Sequence, residues 1–189
     1  MPAPLVVEIP DPSLIVLVGA AGAGKSTFAE RWFEPGEILS SDAFRARIAG
    51  DAGDQSVTKT AFGVLHKALE RRLAQGRLTV IDATNVDSHA RRALTRRARA
   101  ASFPSIAVVL ALPSGIVLAR NALRPGRIVP LDVVRAQLDA LERGIARDRF
   151  ANDGFTRVEL VLDAPTLDRL RIERRPTSPG VSSAAPPPP

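Results

Sequence analysis

The sequence predicts an α/β fold, a parallel sheet with helices on both faces. Three observations carry this. Short unbroken apolar runs such as Leu14–Val18 have the pattern of strands buried on both sides. Segments of helical periodicity separate these runs, and Gly or Pro marks most of the changeovers. Strands that alternate with helices along a chain build a parallel sheet.

The elements follow in order. Leu14–Val18 is the first strand, Gly19–Lys25 a Gly/Ala loop, and the next helix carries Phe28, Ala29, Trp32 and Phe33 on one side. Ile38–Ser41 is a second, short strand. Val57–Gln75 has the spacing of a helix, with Ala61, Val64, Leu65, Ala68 and Leu69 turned inward and Gly76 as its stop. Leu78–Ile81 is the third strand, and Asp87 can cap a helix reaching about Ala101. Ile106–Leu112 is the fourth strand; Ser114 can cap a helix that must end near Arg124, because Pro125 follows. Leu131–Phe150 reads as one long amphipathic helix with Val134, Leu138, Leu141 and Ile145 inward. Val158–Leu162 is the fifth strand and Leu167–Glu173 a last short element. Residues 1–175 make one domain of ordinary size, and the Pro-rich residues 176–189 read as a disordered tail.

Composition narrows the chemistry. The 189 residues are 45% apolar and 24% charged, as in ordinary globular proteins. There is no cysteine, which excludes disulfide scaffolds, thiolate zinc sites, iron–sulfur clusters and cysteine nucleophiles. Two histidines are too few for a histidine-rich metal site. The uncharged stretch Ala100–Ala119 has the length of a spanning helix, but Pro104, Pro113 and Gly115 interrupt it. No membrane segment and a cytoplasmic location are expected. Charge is uneven: eight arginines and no acid lie between Ser88 and Leu131, a distribution suited to a polyanionic partner.

Gly19-Ala20-Ala21-Gly22-Ala23-Gly24-Lys25-Ser26 satisfies G-x-x-x-x-G-K-[ST] between a strand and a helix, the context that confirms a phosphate-binding loop. Glycines let the backbone curl so that N–H groups converge on one phosphate, and the helix start adds its positive end. Gly19, Gly22, Ala23, Gly24 and Thr27 are thus candidate nucleotide contacts. Lys25 reaches the outer phosphates of ATP, and Ser26 offers a hydroxyl to Mg²⁺. Asp42 and Asp82 follow the second and third strands, so both face the crevice beyond the strand ends where ligands of open sheets sit. Asp82 suits a metal-water ligand and Asp42 a proton acceptor. Arg45 lies one turn after Asp42. Arg120, Arg124 and Arg127 flank Pro125-Gly126 like arginines on a small lid, where they can neutralise a transferring phosphoryl group. Arg91, Arg92, Arg96 and Arg99 span the side of their helix opposite Leu94 and Ala98, and solvation or a strand-binding groove accounts for them equally.

Several segments together resemble the kinase module of bacterial polynucleotide kinase–phosphatase: GAAGAGKSTFAE at 19–30, LSSDAFR at 39–45, DQSVTKTAF at 54–62, LHKALERRLAQGRLTVIDATNV at 65–86, ARNALRPGR at 119–127 and DGFTRVELVL at 153–162. The resemblance implies a P-loop kinase-like three-layer αβα fold, with five strands in the order 2-3-1-4-5. It implies Mg²⁺-dependent transfer from ATP to the 5′-hydroxyl of RNA or DNA, an activity that suits nucleic-acid repair. Asp42 would be the general base, and Arg45 would grip the phosphate 3′ of the terminal nucleoside. Gln55, Thr84 and Asn85 would be further acceptor contacts, and Arg120, Arg124 and Arg127 lid arginines around ATP. Gly126 and Ala111 stand where that family more usually has an acid. The competing reading is a P-loop kinase for a sugar, antibiotic or nucleotide sugar. A non-catalytic ATP switch has no use for Asp42 and Arg45 together.

Overall fold

A computed structural model describes residues 5–51, 53–54, 56–124 and 128–176. Gln55 and Arg127 lie outside them, as does residue 177 onward. The described chain runs β1 (Val6–Asp11), β2 (Leu14–Val18), α1 (Lys25–Trp32), a 3₁₀ turn (Pro35–Glu37), β3 (Ile38–Ser40) and α2 (Ser41–Ala49). There follow α3 (Thr58–Ala74), β4 (Thr79–Asp82), α4 (Ser88–Ala100), β5 (Ser105–Leu110), α5 (Ser114–Ala122) and α6 (Leu131–Ala146). The chain closes with α7 (Arg149–Asn152), β6 (Arg157–Val161), α8 (Ala164–Arg169) and β7 (Arg171–Pro176).

β3-β4-β2-β5-β6 form a five-stranded sheet, parallel throughout, which is the expected order. Alternation along β2 splits the core into two faces. Ile15 and Leu17 pack with Phe28 and Phe33 beside α1 and with Val117 of α5. Leu14, Val16 and Val18 pack with Leu65, Leu69 and Leu73 of α3 and Leu94 and Ala98 of α4. α6 serves both layers: Val134 and Leu138 join the first cluster, Leu141 and Ile145 the second.

Several details depart from the sequence reading. Val64 is exposed, because the inward stripe of α3 runs through Ala61, Leu65, Leu69 and Leu73. Ser114 is the first helical residue and makes no cap bond. The helix expected over 131–150 breaks at Asp148, whose φ of 46° is left-handed, so Phe150 sits on the separate turn α7. The last expected element is two, α8 and β7. β7 pairs in parallel with β1, a strand the sequence did not announce, in a second, two-stranded sheet.

Arg91 is not solvated. It is 1% exposed. Its Nε donates to Asp153 Oδ2 at 2.6 Å, and its Nη1 donates to the carbonyls of Asn85 (2.9 Å) and Val86 (2.8 Å). Its guanidinium lies 4.2 Å from the centre of the Phe150 ring. Asp153 also accepts from Ser88 and Arg92. A buried charge needs such a partner, and this one ties the loop after β4 to the start of β6.

Candidate active site

The phosphate loop leaves β2 and closes onto α1. Gly22 has φ +91°, and a Cβ there would lie 2.4 Å from the Val117 carbonyl oxygen of α5, so only glycine fits. Gly19 N–H donates to Thr84 O at 3.0 Å and Ala23 N–H to Ala20 O at 3.1 Å. These two expected phosphate contacts therefore use their N–H groups to shape the loop. Lys25 Nζ donates to the Ala20 carbonyl at 2.9 Å. Burial pushes the Lys25 ammonium down to about 8; Arg124 pushes the same way, while Asp82 and Asp42 oppose them.

Ser26 Oγ donates to Asp82 Oδ2 at 2.8 Å. Burial raises the Asp82 carboxyl, against the pull of Lys25 and the Ser26 hydroxyl. Asp82 is the last residue of β4, and Ser40, at the end of β3, caps α2 by accepting from Ala43 N–H. That cap starts the helix under Asp42 and Arg45, one turn apart and joined as an ion pair. Arg124 Nη2 lies 3.7 Å from Asp42 Oδ2, so two guanidinium groups converge on this carboxylate.

Two cavities adjoin here. One, of about 510 Å³, is lined by Gly22, Gly24, Lys25, Ser26 and Thr27 of the loop and by Arg120. Arg31, Leu167 and Asp168 complete its far wall; Arg31 Nη1 donates to the Asp168 carbonyl at 3.2 Å. The other, of about 590 Å³, is lined by Asp42, Arg45, Asp82, Thr84 and, unforeseen, Phe62 and Gln137. Ala21, Lys25, Ser26 and Arg124 belong to both. The structure thus brings together Lys25, Ser26, Asp82, Asp42, Arg45, Thr84 and Arg124, with Arg120 on the loop side. It keeps Asn85 out: that side chain is buried, with Nδ2 donating to Leu17 O at 2.7 Å and Ala83 O at 3.3 Å.

Among the described residues, no group of three or more His, Asp or Glu side chains forms a metal cage. Ser26 and Asp82 nevertheless fit Mg²⁺, which takes one or two protein oxygens and completes its octahedron with water and phosphate. No described helix is long and apolar enough to cross a membrane.

Residues 14–147 match the AAA domain family. The chain belongs to that family. No curated protein matches this AAA domain chain. Its fold is similar to a chain of the Pnkp1/Rnl/Hen1 RNA repair complex, at 23% identity and a TM-score of 0.59 over 74% of this chain and 47% of that one. The AAA domain chain thus spans about half the length of that relative. A gluconokinase from Sinorhizobium meliloti 1021 aligns at 21% identity and a TM-score of 0.53, covering 85% of this chain and 87% of that chain. A chain of the AvrRxo1-ORF1:AvrRxo1-ORF2 complex with ATP aligns at 17% identity and a TM-score of 0.61, covering 82% and 55%. These likenesses give the AAA domain a P-loop kinase-like fold.

Proposed function

We propose that this chain transfers the terminal phosphoryl group of ATP, with Mg²⁺, to the 5′-hydroxyl end of RNA or DNA. The observation that carries the reading is the junction of the two cavities at Ala21, Lys25, Ser26 and Arg124. On that reading, a triphosphate held by the loop lies next to the Asp42 carboxylate, which faces the acceptor. In this reading Gly22, Gly24, Lys25, Ser26 and Thr27 hold the phosphates, and Ser26 and Asp82 hold Mg²⁺. Asp42 takes the acceptor proton, Arg45 binds the acceptor's neighbouring phosphate, and Arg120, Arg124 and Arg127 offset charge on the moving group. Thr84 lies within reach of the acceptor. Gln55 and Arg127 keep their sequence-based roles. Likeness to a chain of an RNA repair complex supports a polynucleotide acceptor.

A second reading, a kinase for a small hydroxyl compound, is favoured by the alignment with 87% of a gluconokinase. One experiment separates them. The protein is incubated with γ-labelled ATP and Mg²⁺ against 5′-hydroxyl RNA, 5′-hydroxyl DNA, nucleoside 3′-monophosphates, gluconate and other sugars. Label on the 5′ ends supports the proposal, and label on a sugar alone replaces it with the second reading.

A further inference from the structure

Gln137 stands on α6, between the buried Val134 and Leu141 on the same helix face. Its Oε1 accepts the backbone N–H of Ala21 at 2.9 Å, across 116 residues of sequence. Ala21 is the third residue of the phosphate loop and borders both cavities, while Gln137 lines the acceptor one with Asp42, Arg45 and Arg124. A backbone N–H only donates, so the carboxamide must turn its oxygen to the loop. Its NH₂, one carbon away, is then held on the acceptor cavity beside Ala21, with hydrogens to give.

We propose that Gln137 is a further catalytic residue, its oxygen fixed by the Ala21 amide and its NH₂ donating to the phosphoryl group in flight. This rests on the kinase reading above. In the step, the acceptor oxygen bonds to the γ-phosphorus as its bond to the oxygen bridging the β- and γ-phosphates breaks, and that oxygen leaves with ADP. The hydroxyl proton goes to Asp42, and Gln137 transfers nothing. Lys25 and Arg124 supply charge around the same point. A neutral donor adds direction there, and its contribution grows as the phosphoryl oxygens move between the cavities.

The test compares Gln137→Glu, Gln137→Ala and wild type for kcat, acceptor KM, ADP affinity and thermal midpoint. Gln137→Glu keeps the shape and the acceptor for Ala21 N–H but replaces the donor with a negative oxygen. It should lose roughly 10²-fold or more in kcat, the scale of removing one preorganised donor, with ADP affinity and thermal midpoint unchanged. Gln137→Ala should lose less, again in kcat rather than KM. Wild-type kcat in Gln137→Glu overturns the proposal. So does a parallel fall of kcat, ADP affinity and thermal midpoint in both variants, which marks a structural tie only. If the wild type phosphorylates no acceptor at all, the kinase reading itself falls and this assignment with it.

Discussion

Lys25 is a buried cation with a proton that ligands can control. Its value is brought from 10.5 to about 8 by burial, whereas bound phosphates favour the charged form. Above pH 8, nucleotide binding should therefore take up a proton, and the association constant should fall towards tenfold per pH unit. Calorimetry at pH 9 in buffers of different ionisation enthalpy reads this directly; binding without proton uptake would count against it. The free protein should behave oppositely. Between pH 8 and 10.5 the unfolded chain binds more protons at this site, so stability rises with pH, by on the order of 3 kcal/mol at most. Arg45 makes a second prediction. A charge-assisted contact is worth roughly 1.5–3 kcal/mol. Arg45→Gln should thus lose roughly 10- to 150-fold in kcat/KM on a nucleoside 3′-monophosphate and little on the bare nucleoside. Equal losses on both would mean that Arg45 acts through Asp42 instead. Lys25, Ser26 and Asp82 were legible because a loop motif and a strand end are local signals. Gln137 and Arg91 were not: their partners lie 116 and 62 residues away, and a helical wheel carries no trace of such pairing.

At the level of elements, one buried side chain of α5 holds Val129, two residues before α6 begins. Asn121 Nδ2 donates to Val129 O at 2.8 Å, and Val129 N–H donates back to Asn121 Oδ1 at 3.2 Å. Asn121→Ala leaves two backbone groups of Val129 unpaired. Each unmet group costs roughly 1–3 kcal/mol, so a urea titration should show a loss of about 2–6 kcal/mol. An unchanged midpoint would show that the segment is held from elsewhere. Asn121 lies inside ARNALRPGR, but nothing in the spacing of that segment marks Val129 as its partner. The central strands β2, β4 and β5 were legible because burial on both faces leaves nearly continuous apolar runs, whereas the edge strands β3 and β6 are only partly buried. β1 was not legible. Val6–Asp11 places buried Val7 and Ile9 between the unburied Val6, Glu8 and Pro10, and its hydrogen-bonding partner lies near the other end of the chain. The break at Asp148 falls where the inward spacing lapses: Asp148 and Arg149 stand three and four residues after Ile145, and Phe150 stands five.

For the whole molecule, the basic second half offers less to a polyanion than its arginine count implies. Arg91 is enclosed with Asp153, and Arg97 is paired to Glu70 at 2.8 Å. Single-strand binding should weaken with salt at about −0.7 log units per phosphate neutralised. Arg45, Arg124 and a few exposed arginines should give a slope shallower than about −4; a steeper one would place the strand over α4 as well, and a flat one would favour a small acceptor. The pairing of β1 with β7 has a mechanical consequence. The strands are parallel, in register from Val6 with Arg171 to Asp11 with Pro176. Force applied before residue 6 and after residue 176 pulls them past one another along their length. The ladder is loaded in shear, so its bonds must yield together instead of unzipping one at a time. A tether at both ends should meet a high rupture force, and pulling from a loop such as Gly36 should meet a lower one.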